Sequence, residues 1–159
     1  MEMQLQNLKI TLLTLFSILI FNFSFSQTEL DFDYVVTDAN MTIQIGADIC
    51  TDCTIGDLIG AFFENDLGEL QCAGWREWTG DQLAIPLMAS ESGMDNGFQA
   101  GETIQWALYD TETGSSYLFD STMNIDPPFS DTFIANGFGQ VLSLSISTGS
   151  ECSDDDTLM

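Results

Sequence analysis

Short runs with strand-like patterning, separated by turn-forming clusters, most limit what this chain can fold into. Met41, Ile43 and Ile45 alternate with Thr42 and Gln44. Leu142, Leu144 and Ile146 alternate with Ser143, Ser145 and Ser147. Successive side chains of a strand point to opposite faces, so each run reads as a strand with one buried side. Residues 58–63, 83–88 and 104–109 are more continuously apolar, the pattern of strands covered on both faces. Residues 117–119 form a shorter run. No stretch over ten residues carries a 3.6-residue period with capping signals. Residues 64–69 (Glu-Asn-Asp-Leu-Gly-Glu) and 110–115 (Asp-Thr-Glu-Thr-Gly-Ser) read as hairpin turns, because Asn, Asp and Gly tolerate the dihedrals a tight reversal needs. Thr79-Gly80-Asp81 is another break, and Pro127-Pro128 marks a loop. The pattern predicts an all-β fold: an antiparallel two-sheet β-sandwich of jelly-roll or immunoglobulin-like type over residues 27–148.

The charge balance narrows the chemistry. The chain of 159 residues has 25 Asp and Glu, two Lys and Arg, and no His, for a net charge of −23. Hydrophobic residues still make up 45% of it, which argues for a packed core over an acidic disordered tail. With only Lys9 and Arg76 as bases there is no phosphate-neutralising patch, so nucleic acid is not an expected partner. Without His, Ser-His-Asp and Cys-His nucleophiles are excluded, and zinc loses its usual nitrogen ligand.

The N-terminus reads as a signal peptide over residues 1–26. Lys9 gives a minimal positive region, residues 10–25 are rich in Leu, Ile and Phe, and Ser24-Phe25-Ser26 places small residues at −3 and −1 for cleavage before Gln27. The apolar run of 16 residues is shorter than the roughly 20 a membrane span needs, so no transmembrane anchor is expected after cleavage. Removing Glu2 and Lys9 leaves Arg76 alone against 24 acids. Schiff-base lysine chemistry and P-loop phosphate binding then drop out. Residues 149–159 read as an acidic linker or a truncated C-terminal tail.

Export implies an oxidising compartment. Cys50 and Cys53 are the disulfide candidates, closing a small loop staple. Cys72 reads as a buried free thiol, and Cys152, in the tail, as a partner for a segment elsewhere. Hard cations favour clustered oxygen ligands, which makes Glu91, Asp95, Asn96 and Glu102 the candidate calcium set, with Glu64, Asn65, Asp66 and Glu69 a second cluster. No other cofactor is expected. Trp75 and Tyr109 are candidates for stacking on sugar. Trp75 and Trp78 lie three positions apart, so on a strand they point to opposite faces and one belongs to the core; Trp106 also reads as core. Any glycosidase would have to rest on Glu77 and Glu102. Arg76 is expected to pair with a neighbouring carboxylate.

Gly56-Asp57-Leu58-Ile59-Gly60-Ala61-Phe62, then Cys72-Ala73-Gly74, then Gly97-Phe98 followed by Gly101-Glu102, resembles a β-sandwich module of secreted and surface proteins of Bacteroidota, of the flavobacterial type. The resemblance covers about residues 34–147. It implies an extracellular module, often found beside a sorting domain for type IX secretion, and it brings no catalytic residues with it. Asp120-Ser121-Thr122 also resembles the O-glycosylation pattern of that group.

The expectation is a secreted, non-catalytic structural or adhesion module, extracellular or at the cell surface, whose partner is a cell-surface or matrix protein or a glycan. A carbohydrate-binding module is the alternative, and a small carboxylate glycosidase a weaker one. The 56–62 strand and the Cys72 strand should pair as the central hairpin of the core.

Overall fold

A computed structural model describes residues 30–147 of the chain. Residues 1–29 and 148–159, on which the expected signal peptide, the tail and Cys152 fall, lie outside the described residues. The described chain is all β: β1 (Asn40–Ile45), β2 (Leu58–Glu64), β3 (Leu70–Glu77), β4 (Leu83–Met88), β5 (Gln105–Asp110), β6 (Ser115–Met123) and β7 (Phe138–Ile146). They form one seven-stranded sheet in the order β3-β2-β5-β6-β7-β1-β4. Both expected hairpins are present, as β2–β3 and β5–β6.

The sheet is mixed, which corrects the all-antiparallel expectation. β1 runs antiparallel to β4 but parallel to β7, with Thr42 opposite Phe138 and Ile45 opposite Val141. The direction of β7 is set by its antiparallel ladder with β6, and that of β1 by β4. Where the two ladders meet, the strands run the same way. The β2–β3 hairpin is also less central than expected, because β3 ends the strand order.

The terminal strands β3 and β4 come together without joining the hydrogen-bonded ladder, so the sheet nearly closes into a barrel. A glycine makes this contact possible. A Cβ on Gly74 of β3 would collide with the carbonyl oxygen of Pro86 in β4, so the approach is backbone against backbone. Proline suits β4 because an edge strand can dispense with one N–H donor.

Inside the near-barrel, Met41, Ile43 and Ile45 of β1 meet Ile59, Ala61 and Phe63 of β2, with Ile85 and Leu87 of β4. Trp106 is buried there too, as its position predicted, and of Trp75 and Trp78 it is Trp78 that lies in this core. The alternating residues of β1 therefore do face one core, and β2 is buried along both faces. Phe98 and Phe133 stack at 5.2 Å between centroids beside Phe63.

Two bulges depart from simple alternation. In β3, Ala73 is the extra residue between Cys72, opposite Phe62, and Gly74, opposite Ala61. It turns Ala73 into the main core while Cys72 faces the other side. In β7, Leu142 is the extra residue, between Val141 opposite Met123 and Ser143 opposite Thr122. Leu142 is therefore exposed, and Val141 and Leu144 fill the core. A bulge shifts the side-chain phase by one residue, which is why the sequence run Leu142-Leu144-Ile146 does not share one face.

Polar side chains fix the connections. Asn65 Oδ1 accepts from the N–H groups of Leu67 (3.0 Å) and Glu69 (2.8 Å) in the β2–β3 turn. In the β5–β6 turn the carboxylate of Asp110 accepts from Thr113 through both its N–H and its hydroxyl, and from the N–H of Glu112. These bonds, those of Thr113 foremost, hold the Asp110 carboxyl below the ordinary Asp value. Asp57 is buried and accepts from Thr54 N (2.7 Å) and Thr111 N (3.1 Å), joining the loop before β2 to the β5–β6 turn.

Cys50 and Cys53 form the expected disulfide, with Cα atoms 5.5 Å apart. Its loop docks on β7: Leu144 N donates to Ile49 O at 3.1 Å, and Ile146 N to Asp52 Oδ2 at 2.9 Å. Replacing both cysteines by serine is expected to lower unfolding stability by about 2 kcal/mol, the chain-entropy scale for so short a loop. Urea melts of the double variant test this, and an unchanged midpoint contradicts it.

Candidate functional site

The opposite face of the sheet carries a second, smaller apolar cluster. Phe62 of β2, Cys72 of β3 and Ala107 of β5 are buried there. They are covered by residues 30–36, a strap that enters ahead of β1. Leu30, Phe32 and Tyr34 pack onto the cluster, while Asp31, Asp33 and Val35 are exposed. The alternation Leu-Asp-Phe-Asp-Tyr-Val has the period of an extended segment with one buried side.

Phe32 anchors the strap. Its ring meets Phe62 edge-on at 5.1 Å and Tyr109 at 5.8 Å. Gly60 makes room for it, since a Cβ there would lie 2.7 Å from Phe32 Cε1. Beyond the strap, Thr37 Oγ1 donates to Ala89 O at 2.7 Å, which fixes the entry into β1.

A groove of about 970 Å³ follows the strap. Asp31, Asp33, Glu69 and Asp95 contribute carboxylates to its lining, with Leu118 and Ser116 of β6. Ser116 Oγ is buried and has no hydrogen-bond partner among the described residues. Cys72 also lines the groove and is the free, buried thiol expected from its position. Burial pushes that thiol up to about 12; a hydrogen bond from Gly74 opposes the shift, and the charges of Asp31 and Asp33 add to it.

The sequence-derived candidates fall in different places. Trp75 packs on the outer cluster and Tyr109 against Phe32, so both are half-buried beside the strap. They do sit on one face, but Gly60 of β2 separates them, opposite Trp75 on one side and Ala107 on the other. Glu77 lies opposite Leu58, at the start of β2. Glu102 comes three residues before Gln105, which is opposite Phe62. Four residues of β2 separate these two register positions. Glu102 Oε2 accepts from Gln99 N at 2.8 Å within its own turn.

The calcium candidates are likewise engaged in turns. Asn96 Oδ1 accepts from Glu91 N at 3.0 Å and its Nδ2 donates to Glu91 Oε2 at 2.9 Å. Asp95 Oδ2 accepts from Asp66 N at 2.7 Å, which ties the 90–100 loop to the β2–β3 turn and brings the two acidic clusters together. Among the described residues, no group of three His, Cys, Asp or Glu side chains converges as a metal site. Arg76 donates Nη1 to the carbonyl of Trp75 at 2.8 Å, where a carboxylate partner was expected.

The strap was missed from sequence, although its alternation over residues 30–35 is as regular as that of β1. Its acids sit at every second position, and a segment so charged reads as a linker unless the face it covers is known. No protein-family model matches the chain, and neither a curated protein nor a solved structure matches it.

Proposed function

We propose that the protein is a secreted, non-catalytic structural or adhesion module whose strap groove receives a cell-surface or matrix partner. The groove carries this reading. It is lined by both apolar and carboxylate side chains, and such mixed linings suit an interface with an apolar contact and a charged rim. Two of its carboxylates already serve the fold, since Asp95 accepts from Asp66 N and Glu69 from Asn65 Nδ2. Secretion is supported by Lys9, the apolar run of residues 10–25 and the small residues before Gln27, and by a disulfide suited to an oxidising compartment. No helix among the described residues is long and apolar enough to cross a membrane. We read the near-barrel as a flattened sandwich of the kind found in surface modules of Bacteroidota.

The test is surface plasmon resonance of the purified chain against immobilised matrix proteins and a glycan array, with a parallel assay for reducing sugar released from polysaccharides. Saturable binding to a protein surface without sugar release is the expected result. Sugar release abolished by Glu77→Gln or Glu102→Gln overturns the reading in favour of a glycosidase. Binding confined to glycans and lost in Trp75→Ala overturns it in favour of a carbohydrate-binding module.

A further inference from the structure

We infer that residues 30–36 are a template for strand addition, and that the partner of the groove is an extended peptide segment with basic side chains at alternate positions. The inference rests on the adhesion reading and names the chemistry of its partner.

The first observation is an unpaired backbone. Among the described residues, the strap makes no backbone–backbone hydrogen bond; its one internal bond runs from Asp33 N to Asp31 Oδ1, at 2.9 Å. Its side chains hold it down through Leu30, Phe32 and Tyr34, and apart from the Asp33 N–H its backbone groups have no partner among the described residues. An extended segment with free edges is the element that strand addition uses: main-chain bonds supply affinity and alternate side chains supply specificity.

The second observation is the space beside it. The groove runs along the strap, where an added strand would lie. Leu118, 43% exposed, offers apolar contact to side chains pointing toward the sheet.

The third observation is charge. Asp31 and Asp33 are two residues apart on the exposed side of the strap. In extended backbone that places them about 7 Å apart. Residues i and i+2 of an added strand have the same spacing, and opposite charges facing each other across strands are favourable. Glu69 and Asp95 extend the negative lining, and no cation lines the groove. A field of one sign selects a partner of the other and excludes its own. That includes a second copy of this chain paired strap to strap, which would set Asp31 and Asp33 against each other.

The probe is a short, terminally blocked, fluorescently labelled peptide alternating Lys and Val, read by anisotropy with the full chain at physiological salt. The comparison peptides are a block isomer with all Lys first, and the alternating peptide N-methylated on every second amide. The alternating peptide is expected to bind at least about tenfold more tightly than either, since charge is equal in all three and only register and main-chain donors differ. Asp31→Asn with Asp33→Asn should weaken it by at least about tenfold. Asp48→Asn with Asp126→Asn removes the same charge from exposed positions outside the groove and should change it less than about twofold. Equal binding of the three peptides, equal loss in the two double variants, or no binding at all overturns the inference. If the chain still binds a matrix surface in any of those cases, the adhesion reading stands and only its partner is wrong; sugar release that depends on Glu77 or Glu102 removes that reading.

Discussion

Gly74→Val is expected to lower unfolding stability by about 3 kcal/mol or more, at the upper end of the overpacking range. The new Cβ would meet the carbonyl oxygen of Pro86 and crowd the Cα of Leu87. Both belong to backbone, so no rotamer change can relieve the clash, and β4 must move off β3. Moving it uncovers the ends of the sheet, whose inner side carries Ile85, Leu87 and Ala73. Gly93→Ala is the matched control. Gly93 has a positive φ of 77° but open space at its Cβ, so its cost is backbone strain alone, roughly 1–2 kcal/mol. Thermal and urea melts of the two variants compare these costs. If Gly74→Val loses no more than Gly93→Ala, the closure of β3 on β4 does not stabilise the fold.

The second large effect is at Cys72. Desolvation raises its pKa from the ordinary 9.0 to about 12. At pH 8 this leaves a thiolate fraction about a thousandfold smaller than that of a free cysteine. In a Cys152→Ser background, the native protein should therefore react with an aromatic disulfide reagent at least about a thousandfold more slowly than the urea-unfolded chain. Phe32→Ala removes the ring that anchors the strap and should raise the native rate by at least about tenfold. Reaction of the wild type at the unfolded rate would show that the strap does not cover the thiol. The pH dependence follows in sign. A group whose pKa is raised by folding keeps its proton longer in the native state. Its contribution is complete below pH 9 and is lost as pH climbs from 9 toward 12. Cys72→Ala should remove that alkaline loss.

Much of this architecture was legible because strands and tight turns are local. The alternation in β1, the apolar run in β2 and the Asn-Asp-Leu-Gly turn between β2 and β3 each carry their own signal. Sheet order does not, since nothing within residues 40–45 says that their neighbours will be residues 83–88 and 138–141. The parallel β1–β7 ladder arises only when two antiparallel ladders meet. The bulges at Ala73 and Leu142 were hidden for a related reason: an inserted residue looks like any other until its partner strand is known. The candidate site was less legible still. Trp75 and Tyr109 were correctly assigned to strands, but their surroundings depend on Phe32, forty residues or more away along the chain. In a sequence, a carboxylate that closes a turn, as Glu91 does with Asn96, and one that binds a metal are the same residue.

The parallel pairing of the first and last described strands also sets the direction in which tension between them would act. β1 is entered from its Asn40 end, while β7 leaves beyond Val141 toward Ile146. A pull separating the two chain ends therefore acts along the shared ladder in opposite directions and draws the strands past each other lengthwise. In that geometry the bonds from Thr42 to Val141 strain together, whereas peeling would break them one by one. Asp52 and Ile49, on the disulfide loop, hold the far end of β7 to the fold. A domain tethered at both ends would then resist tension through its unfolding rate, and the first and last strands would form its mechanical clamp.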